Sequence, residues 1–222
     1  MKKTLFMAIC CLLIAGSVSA QEYYYGPRRP PQHQYHKQHN NDFYKVRAGI
    51  TGSLNLANTI DAYNYNYSTG TIAAFSAGLF LDVPIVFPFS FEPEVLYSQK
   101  GFTAQTSDGN LTSRSGFIDV PLLAKFKLAP GFNFLIGPQI SFETSTTNTY
   151  SNGFTPNTQD NYNYNGNTVF VGSGVGFSFD VTPDVEIRAR YTIDLTEDDG
   201  NGSYTPDYRN QVFQIGLGFK FQ

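Results

Sequence analysis

Regular alternation of apolar and polar residues dominates the chain, and it is clearest between positions 185 and 195. The apolar members are Val185, Ile187, Ala189, Tyr191, Ile193 and Leu195, and the polar members are Glu186, Arg188, Arg190, Thr192 and Asp194. Because successive side chains of a β-strand point to opposite faces, this run predicts a strand with one apolar and one charged face. Its length exceeds the roughly 5–6 residues of an average strand and matches the roughly 9–11 residues with which a tilted strand crosses a bilayer.

Seven further runs have the same alternation, and the segments between the runs are alternately short and long. The runs span residues 44–54, 71–83, 89–97, 118–128, 132–143, 169–181 and 211–222. Short turns are predicted at 84–88, 129–131 and 182–184, and long polar loops at 55–70, 101–114, 144–167 and 196–210. Bacterial barrels have short periplasmic turns and long external loops. We therefore predict an all-β fold, an eight-stranded antiparallel up-and-down transmembrane β-barrel with both termini in the periplasm.

A soluble lipocalin-like barrel or sandwich, with the apolar face turned inward, is the alternative fold. The long runs, the Gly and Ser residues on the polar faces and the low charged fraction of 15% oppose it. Aromatic residues also cluster near the predicted strand ends, as in the interfacial girdle of a membrane barrel. They are Tyr44, Phe89, Tyr97, Phe117, Phe132, Phe142, Phe213 and Phe221.

The first 42 residues differ in composition from the alternating region. Residues 1–20 have the features of a signal peptide, with Lys2 and Lys3, an apolar run and small residues up to Ala20. Its cleavage would remove Cys10 and Cys11, the only cysteines. A lipid-anchored cysteine is the other interpretation of this segment. Residues 21–42 predict a disordered Pro/Gln/His-rich periplasmic tail, and 43–222 the barrel domain.

Net charge argues against nucleic acid as a partner. Without Lys2 and Lys3 the chain has 13 basic and 18 acidic residues, a formal charge of −5. A nucleic-acid-binding surface needs an excess of Lys and Arg to neutralise phosphates.

Five segments in order along the barrel region carry a resemblance to a known family. They are FEPEVLYSQKG at 91–101, FIDVPLLAKF at 117–126, FLIGPQIS at 134–141, GSGVGFSF at 172–179 and IGLGFKF at 215–221. Through them the chain resembles the PorT-like outer-membrane β-barrel proteins of the Bacteroidetes, often labelled "porin family". The resemblance implies an eight-stranded barrel in the outer membrane of a Gram-negative bacterium, inserted by the barrel-assembly machinery. It implies no single activity. Gln222 after Phe221 departs from the terminal aromatic on which many outer-membrane proteins end.

Charged residues on the polar faces predict a salt-bridge network in the lumen. In an eight-stranded barrel the third and seventh strands are opposite, which sets Glu92 and Glu94 across from Arg188 and Arg190. An eight-stranded barrel is just wide enough for side chains to fill, and buried ions require partners. We therefore predict a plugged lumen, with an open pore and an ion or proton relay as alternatives. The predicted network comprises Arg47, Glu92, Glu94, Lys125, Arg188 and Arg190.

Histidine is absent from the alternating region. Enzymatic barrels draw on histidine as a base, but His33, His36 and His39 all precede the first predicted strand. We therefore expect no enzyme activity and no cofactor. The three histidines recur at every third residue, so an extended polyproline helix would align them as weak ligands for zinc, copper or nickel. A solvated linker is the simpler interpretation.

Tyrosine and asparagine alternate in two of the predicted loops. Residues 63–67 read YNYNY and 161–165 read NYNYN, which would extend hairpins above the membrane or form a recognition surface. The tyrosines are Tyr63, Tyr65, Tyr67, Tyr162 and Tyr164. The expected function is structural or recognitional, with outer-membrane lipid and an extracellular or secretion-machinery protein as partners. The alternative is an accessory role in protein secretion or a narrow passive channel.

Overall fold

The computed structural model describes residues 44–61, 69–106, 109–151, 156–161, 169–196 and 208–221. The chain divides into two compact units, residues 1–39 and 40–222, and all described residues belong to the second. The predicted signal peptide and periplasmic tail lie outside the described residues. No helix in the described part of the chain is long and apolar enough to cross a membrane.

Ten β-strands make up the described structure. They are β1 (Arg47–Asp61), β2 (Thr69–Gly70), β3 (Ile72–Val86), β4 (Phe89–Thr106), β5 (Gly109–Ala129), β6 (Phe132–Ser151), β7 (Pro156–Asn161), β8 (Val169–Asp180), β9 (Val185–Asp194) and β10 (Tyr208–Lys220). Two of them are extensions, because β2 pairs only with the far end of β4 and β7 only with the far end of β6.

The other eight strands form a closed antiparallel ring. Their order is β1, β3, β4, β5, β6, β8, β9 and β10, so each strand pairs with its neighbours in the chain. The ring closes between β1 and β10, from the pair Gly49 and Lys220 to the pair Asp61 and Tyr208. This confirms the prediction of an eight-stranded up-and-down barrel. Closure gives partners to the strand edges that would otherwise face lipid.

Apolar side chains cover the outside of the ring, and polar side chains fill the inside. Leu79 is 61% exposed and Phe213 46% exposed on the outer wall, whereas Glu92 and Ser98 are fully buried within. A continuous exposed apolar surface of this kind suits lipid and is unfavourable in water. The soluble alternative, in which the apolar face would be the core, is therefore wrong.

Several strands are longer than predicted, because polar segments expected to be loops are strand. Between β4 and β5, pairing continues from Gly101 and Arg114 to Thr106 and Gly109. β6 likewise runs to Ser151. Threonine is abundant in these segments, and its β-branched side chain favours extended backbone. We refer to β4, β5, β6 and β7 together as the tall wall, because they extend beyond the rest of the ring at the long-loop end.

Phe117 is not part of the outer aromatic girdle, in contrast to the prediction. It is 1% exposed and packs inside the barrel against Phe170, with ring centroids 5.8 Å apart. On β5, Phe117 is in phase with Asp119, Leu123 and Lys125, which are also buried, so the unbroken alternation of this strand turns its ring inward. The register shift beside it skips Thr144 on β6 and leaves the faces of β5 unchanged.

Gly137 on β6 packs tightly against the backbone of β5, so we expect Gly137→Val to destabilise the barrel. A Cβ there would collide with the backbone oxygen of Leu122, which cannot move aside. We expect a loss of about 1–3 kcal/mol, the usual cost of overpacking. Urea unfolding in phospholipid vesicles, followed by loss of the heat-modifiable band on gels, measures this change.

Gly52→Val is the matched control, since a Cβ at Gly52 meets no atom nearer than the Ser76 oxygen at 3.9 Å. This variant should stay within about 0.5 kcal/mol of wild type. Equal unfolding midpoints for the two variants would contradict the close approach of β5 and β6 at Gly137.

Candidate functional site: the charged lumen

The centre of the lumen holds ion pairs between two opposite strands. Arg188 and Arg190 extend from β9, and Glu92 and Glu94 from β4 on the other side of the ring. Arg188 Nη2 donates to Glu92 Oε1 and to Glu94 Oε1, and Arg190 Nη1 donates to Glu94 Oε2 at 2.8 Å. Both glutamates are at most 1% exposed. These charge-assisted hydrogen bonds join opposite walls of the barrel.

Lys125 on β5 extends this network toward the short-turn end. Its Nζ lies 2.7 Å from Glu92 Oε2, 3.1 Å from Asp82 Oδ2 and 3.3 Å from Glu186 Oε2. Glu186 also pairs with Lys220 at 2.9 Å. The lower network, as we call it, contains Asp82, Glu92, Glu94, Lys125, Asp180, Glu186, Arg188, Arg190 and Lys220. Its four cations and five carboxylates nearly balance, as burial of ions requires.

A second cluster nearer the long-loop end centres on Lys100, a residue that the sequence analysis did not select. Its Nζ lies 3.0 Å from Asp119 Oδ1, 3.8 Å from Asp194 Oδ1 and 4.5 Å from the centroid of the Phe117 ring. Lys100 is 1% exposed. The alternation of side chains could have placed Lys100 in the lumen, because it is in phase with Glu92, Glu94, Leu96 and Ser98 on β4. It was missed because the predicted strand ended at Tyr97.

Neutral polar side chains extend the lower network toward the long-loop end. Arg190 Nε donates to Gln214 Oε1 at 2.8 Å, and Gln214 Nε2 donates to Asn55 Oδ1 at 3.2 Å. Asn55 Nδ2 then donates to Ser98 Oγ at 3.2 Å. Apolar side chains fill the space around these groups: Phe80, Leu96, Leu123, Leu135 and Phe170 are all buried.

Little space remains at mid-height in the lumen. A cavity of about 20 Å³ lies there, bounded among others by Leu135, Arg188, Arg190 and Gln214. Roughly 10–15 Å³ of such volume is needed for one water molecule. The interior at this level therefore has room for about one water.

Arg47 lies apart from the other five residues of the predicted network. Its Nη1 donates to the backbone oxygen of Pro183 at 3.3 Å, at the short-turn mouth of the barrel. It makes no ion pair with the residues that the structure describes. The register neighbour Asp82 is already held by Lys125. The other five residues, Glu92, Glu94, Lys125, Arg188 and Arg190, lie together in the lower network.

The remaining candidate residues lie outside the described residues. They are the histidines His33, His36 and His39 and the tyrosines Tyr63, Tyr65, Tyr67, Tyr162 and Tyr164. Within the described ranges, no group of three or more His, Cys, Asp or Glu side chains could hold a metal ion.

The closed ring, outward apolar face and charged lumen agree with a comparison against protein families. Residues 32–197 match the model of the outer membrane protein beta-barrel domain. The chain belongs to this family. Membership indicates the outer membrane of a Gram-negative bacterium as the location. No curated protein matches the chain.

Three solved structures are similar to most of the chain at low sequence identity. Neisserial surface protein A is 15% identical, with 78% of this chain and 97% of that chain covered and a TM-score of 0.49. Ail, the attachment invasion locus protein of Yersinia pestis, is 12% identical, with 80% and 99% covered and a TM-score of 0.46. OprG from Pseudomonas aeruginosa is 12% identical, with 80% and 94% covered and a TM-score of 0.39.

Removing Arg188 should destabilise this outer-membrane barrel strongly, because Glu92 and Glu94 would lose their shared partner. We expect Arg188→Met to cost about 3–5 kcal/mol, the usual effect of leaving a buried charge without its partner. Urea unfolding in phospholipid vesicles measures the loss. Adding Glu92→Gln and Glu94→Gln to the same chain should restore part of it, since the excess negative charge is then gone.

Lys127→Met is the control for this experiment, because Lys127 is only half-buried and makes no ion pair with the described residues. It should change stability by less than about 0.5 kcal/mol. Wild-type stability of Arg188→Met would mean that the lumen pairs do not stabilise the barrel.

Proposed function

We propose that the protein is a non-conducting outer-membrane barrel with a structural or recognition role, exercised at its long-loop end. The filled lumen is the observation that carries this proposal. In the described part of the barrel, the ion pairs of Arg188 with Glu92 and Glu94 cross the middle of the lumen, and the cavity beside them measures about 20 Å³. A barrel closed in this way acts through its surfaces.

The tall wall supports recognition at the long-loop end. Its strands lift a paired and therefore ordered surface beyond the ring, where a small apolar cluster of Phe102, Ala104 and Leu111 lies buried. Strands stiffened by such packing hold polar side chains in fixed positions, which lowers the entropy lost on binding. The tyrosines at 63–67 and 162–164 would add rigid contact area at the same end.

The proposed orientation has the short turns and both termini in the periplasm. The contrast between the two ends supports it, since the turns at 87–88, 130–131 and 181–184 are short and the opposite end carries the tall wall. The partners on this proposal are outer-membrane lipid, the barrel-assembly machinery during insertion and an extracellular protein.

We propose no enzymatic role and no cofactor for the barrel. The ion pairing supports this, because the glutamates of the lower network are held by lysine and arginine side chains instead of facing a cleft. Carboxylates neutralised in this way stabilise a wall and are poor general bases.

The second candidate is an accessory role in protein secretion or a narrow passive channel. The resemblance of segments such as 91–101 and 117–126 to PorT-like proteins of the Bacteroidetes supports the secretion role. Loss of secreted proteins from a deletion strain would favour secretion over a role as a lone barrel.

Planar-bilayer recording tests the closed lumen directly. The purified full-length protein should insert without steady single-channel steps, because the ion pairs and side chains fill the lumen. An open porin recorded in the same bilayers verifies the sensitivity. Reproducible unitary steps from the wild-type protein would overturn the non-conducting barrel and favour the channel.

Co-purification tests recognition by the loops. The protein, taken from intact outer membranes in mild detergent, should bring a stoichiometric partner that is lost when Tyr63, Tyr65 and Tyr67 are all changed to Ser. The matched control changes Asn64 and Asn66 to Ser in the same loop and should retain the partner. Equal retention by both variants, or no partner with wild type, would contradict recognition through the tyrosines.

A further inference from the structure

The short-turn mouth of the barrel is an open cavity of about 250 Å³. We call it the vestibule. It borders the lower network, and the starts of β1, β4 and β6 and the ends of β3, β5, β8 and β10 surround it. The lining residues are Lys45, Arg47, Asp82, Pro84, Pro88, Ser90, Lys125, Lys127, Asn133, Asp180 and Lys220.

Positive charge predominates in the vestibule. Five lining side chains are cationic and two are carboxylates. The carboxylates are already neutralised, since Lys125 lies 3.1 Å from Asp82 and Lys220 lies 2.6 Å from Asp180. The lining therefore has a cationic surplus, although the chain as a whole is acidic, with a net charge of −3. A concave surface of one sign concentrates ions of the opposite sign.

Arg47 and Lys127 are the cations of this surplus that can turn toward an anion. They come from different walls, β1 and β5, and both are half-buried. The hydrogen bond of Arg47 to Pro183, at 3.3 Å, uses one of its five N–H donors. A guanidinium fork and an ammonium group together match the several acceptor oxygens of a phosphate.

The outer wall around the vestibule is apolar down to the turns. Exposed apolar side chains occur in or beside all three short turns and at the short-turn end of the seam between β1 and β10: Val46, Ile85, Val86, Phe87, Leu128, Val181 and Phe221. An apolar band that reaches the rim sets the mouth at the depth where lipid headgroups begin. The turns are only two to four residues long, at 87–88, 130–131 and 181–184, so the rim is low.

We propose that the vestibule binds a phosphate group, supplied by the headgroup of an anionic phospholipid in the surrounding leaflet. Arg47 and Lys127 donate to the phosphate oxygens, and the ion-paired Lys125 and Lys220 close the inner end of the vestibule. The low rim lets the headgroup reach inward while its acyl chains stay against the outer wall. This lipid site is separate from the proposed role of the outer loops.

Native mass spectrometry of the full-length protein released from nanodiscs tests the lipid. Nanodiscs of phosphatidylcholine with a minor fraction of phosphatidylglycerol should yield protein that retains phosphatidylglycerol preferentially. The double variant Arg47→Gln and Lys127→Gln should lower this affinity about tenfold or more, since each cation near a membrane surface contributes a severalfold effect. Arg114→Gln, which removes an exposed cation at the opposite end, should leave retention unchanged.

A soluble probe separates the phosphate from the lipid. Inorganic phosphate titrated into the protein in a neutral detergent should shift the amide NMR signals at Arg47 and Lys127, and acetate at equal ionic strength should shift them less. Phosphate shifts without preferential phosphatidylglycerol retention would overturn the lipid as the source. If neither probe differs between wild type and the double variant, with both folded by the heat-modifiable gel shift, the site does not exist.

Discussion

Closure of the strand ring is the constraint on which the rest of the molecule depends. Hydrocarbon offers no hydrogen bonds, so the backbone N–H and C=O groups of a strand edge exposed to lipid would have no hydrogen-bond partners. The long antiparallel seam between β1 and β10 removes the last edges. Closing at eight strands also sets the width of the interior to about two side chains, which brings opposite walls within reach of each other.

The ion pairs in the lumen follow from that width. Glu92 on β4 contacts Arg188 on β9 because the lumen between these two strands is narrow enough for the two side chains to span it. Glu186 contacts Lys125, Arg188 and Lys220, which come from three different strands. The pairs that join opposite walls, such as Arg188 with Glu92 and Glu94, exist only when the ring is closed, so they couple the formation of distant strands. The interior thereby contributes to a single folded arrangement in which strand order and register are specified together.

The alternation of side chains predicts most of the fold, because lipid outside and a polar lumen inside impose period two on every strand. The same rule, with β4 and β9 taken as opposite, brings Glu92, Glu94, Arg188 and Arg190 near each other. It predicts the strand ends less well, because the Ser- and Thr-rich ends of β5 and β6 have the composition of loops although they pair as strands. Phe117 follows the rule, since it is in phase with the inward Asp119 and Lys125.

Sequence alone gives less information on which partner each inward ion chooses. Arg47 and Asp82 are register neighbours on adjacent strands, yet the Asp82 carboxylate forms its ion pair with Lys125 of β5. Lys100 finds Asp119 and Asp194 on two other strands. These choices depend on side-chain length, strand stagger and the heights at which residues meet across the lumen, and a linear pattern does not contain that information.

The strands of the ring differ greatly in length, and the longest strands lie next to one another on one side of it. β5 has 21 residues and β9 on the other side has 10. At roughly 3.3 Å per residue this amounts to about 36 Å of additional strand on one side. Among the described residues, the barrel is therefore taller on the side of β5 than on the side of β9. In the proposed orientation, a ligand from outside the cell would meet strand on the tall side first, so the rotation of the barrel about the membrane normal affects the encounter.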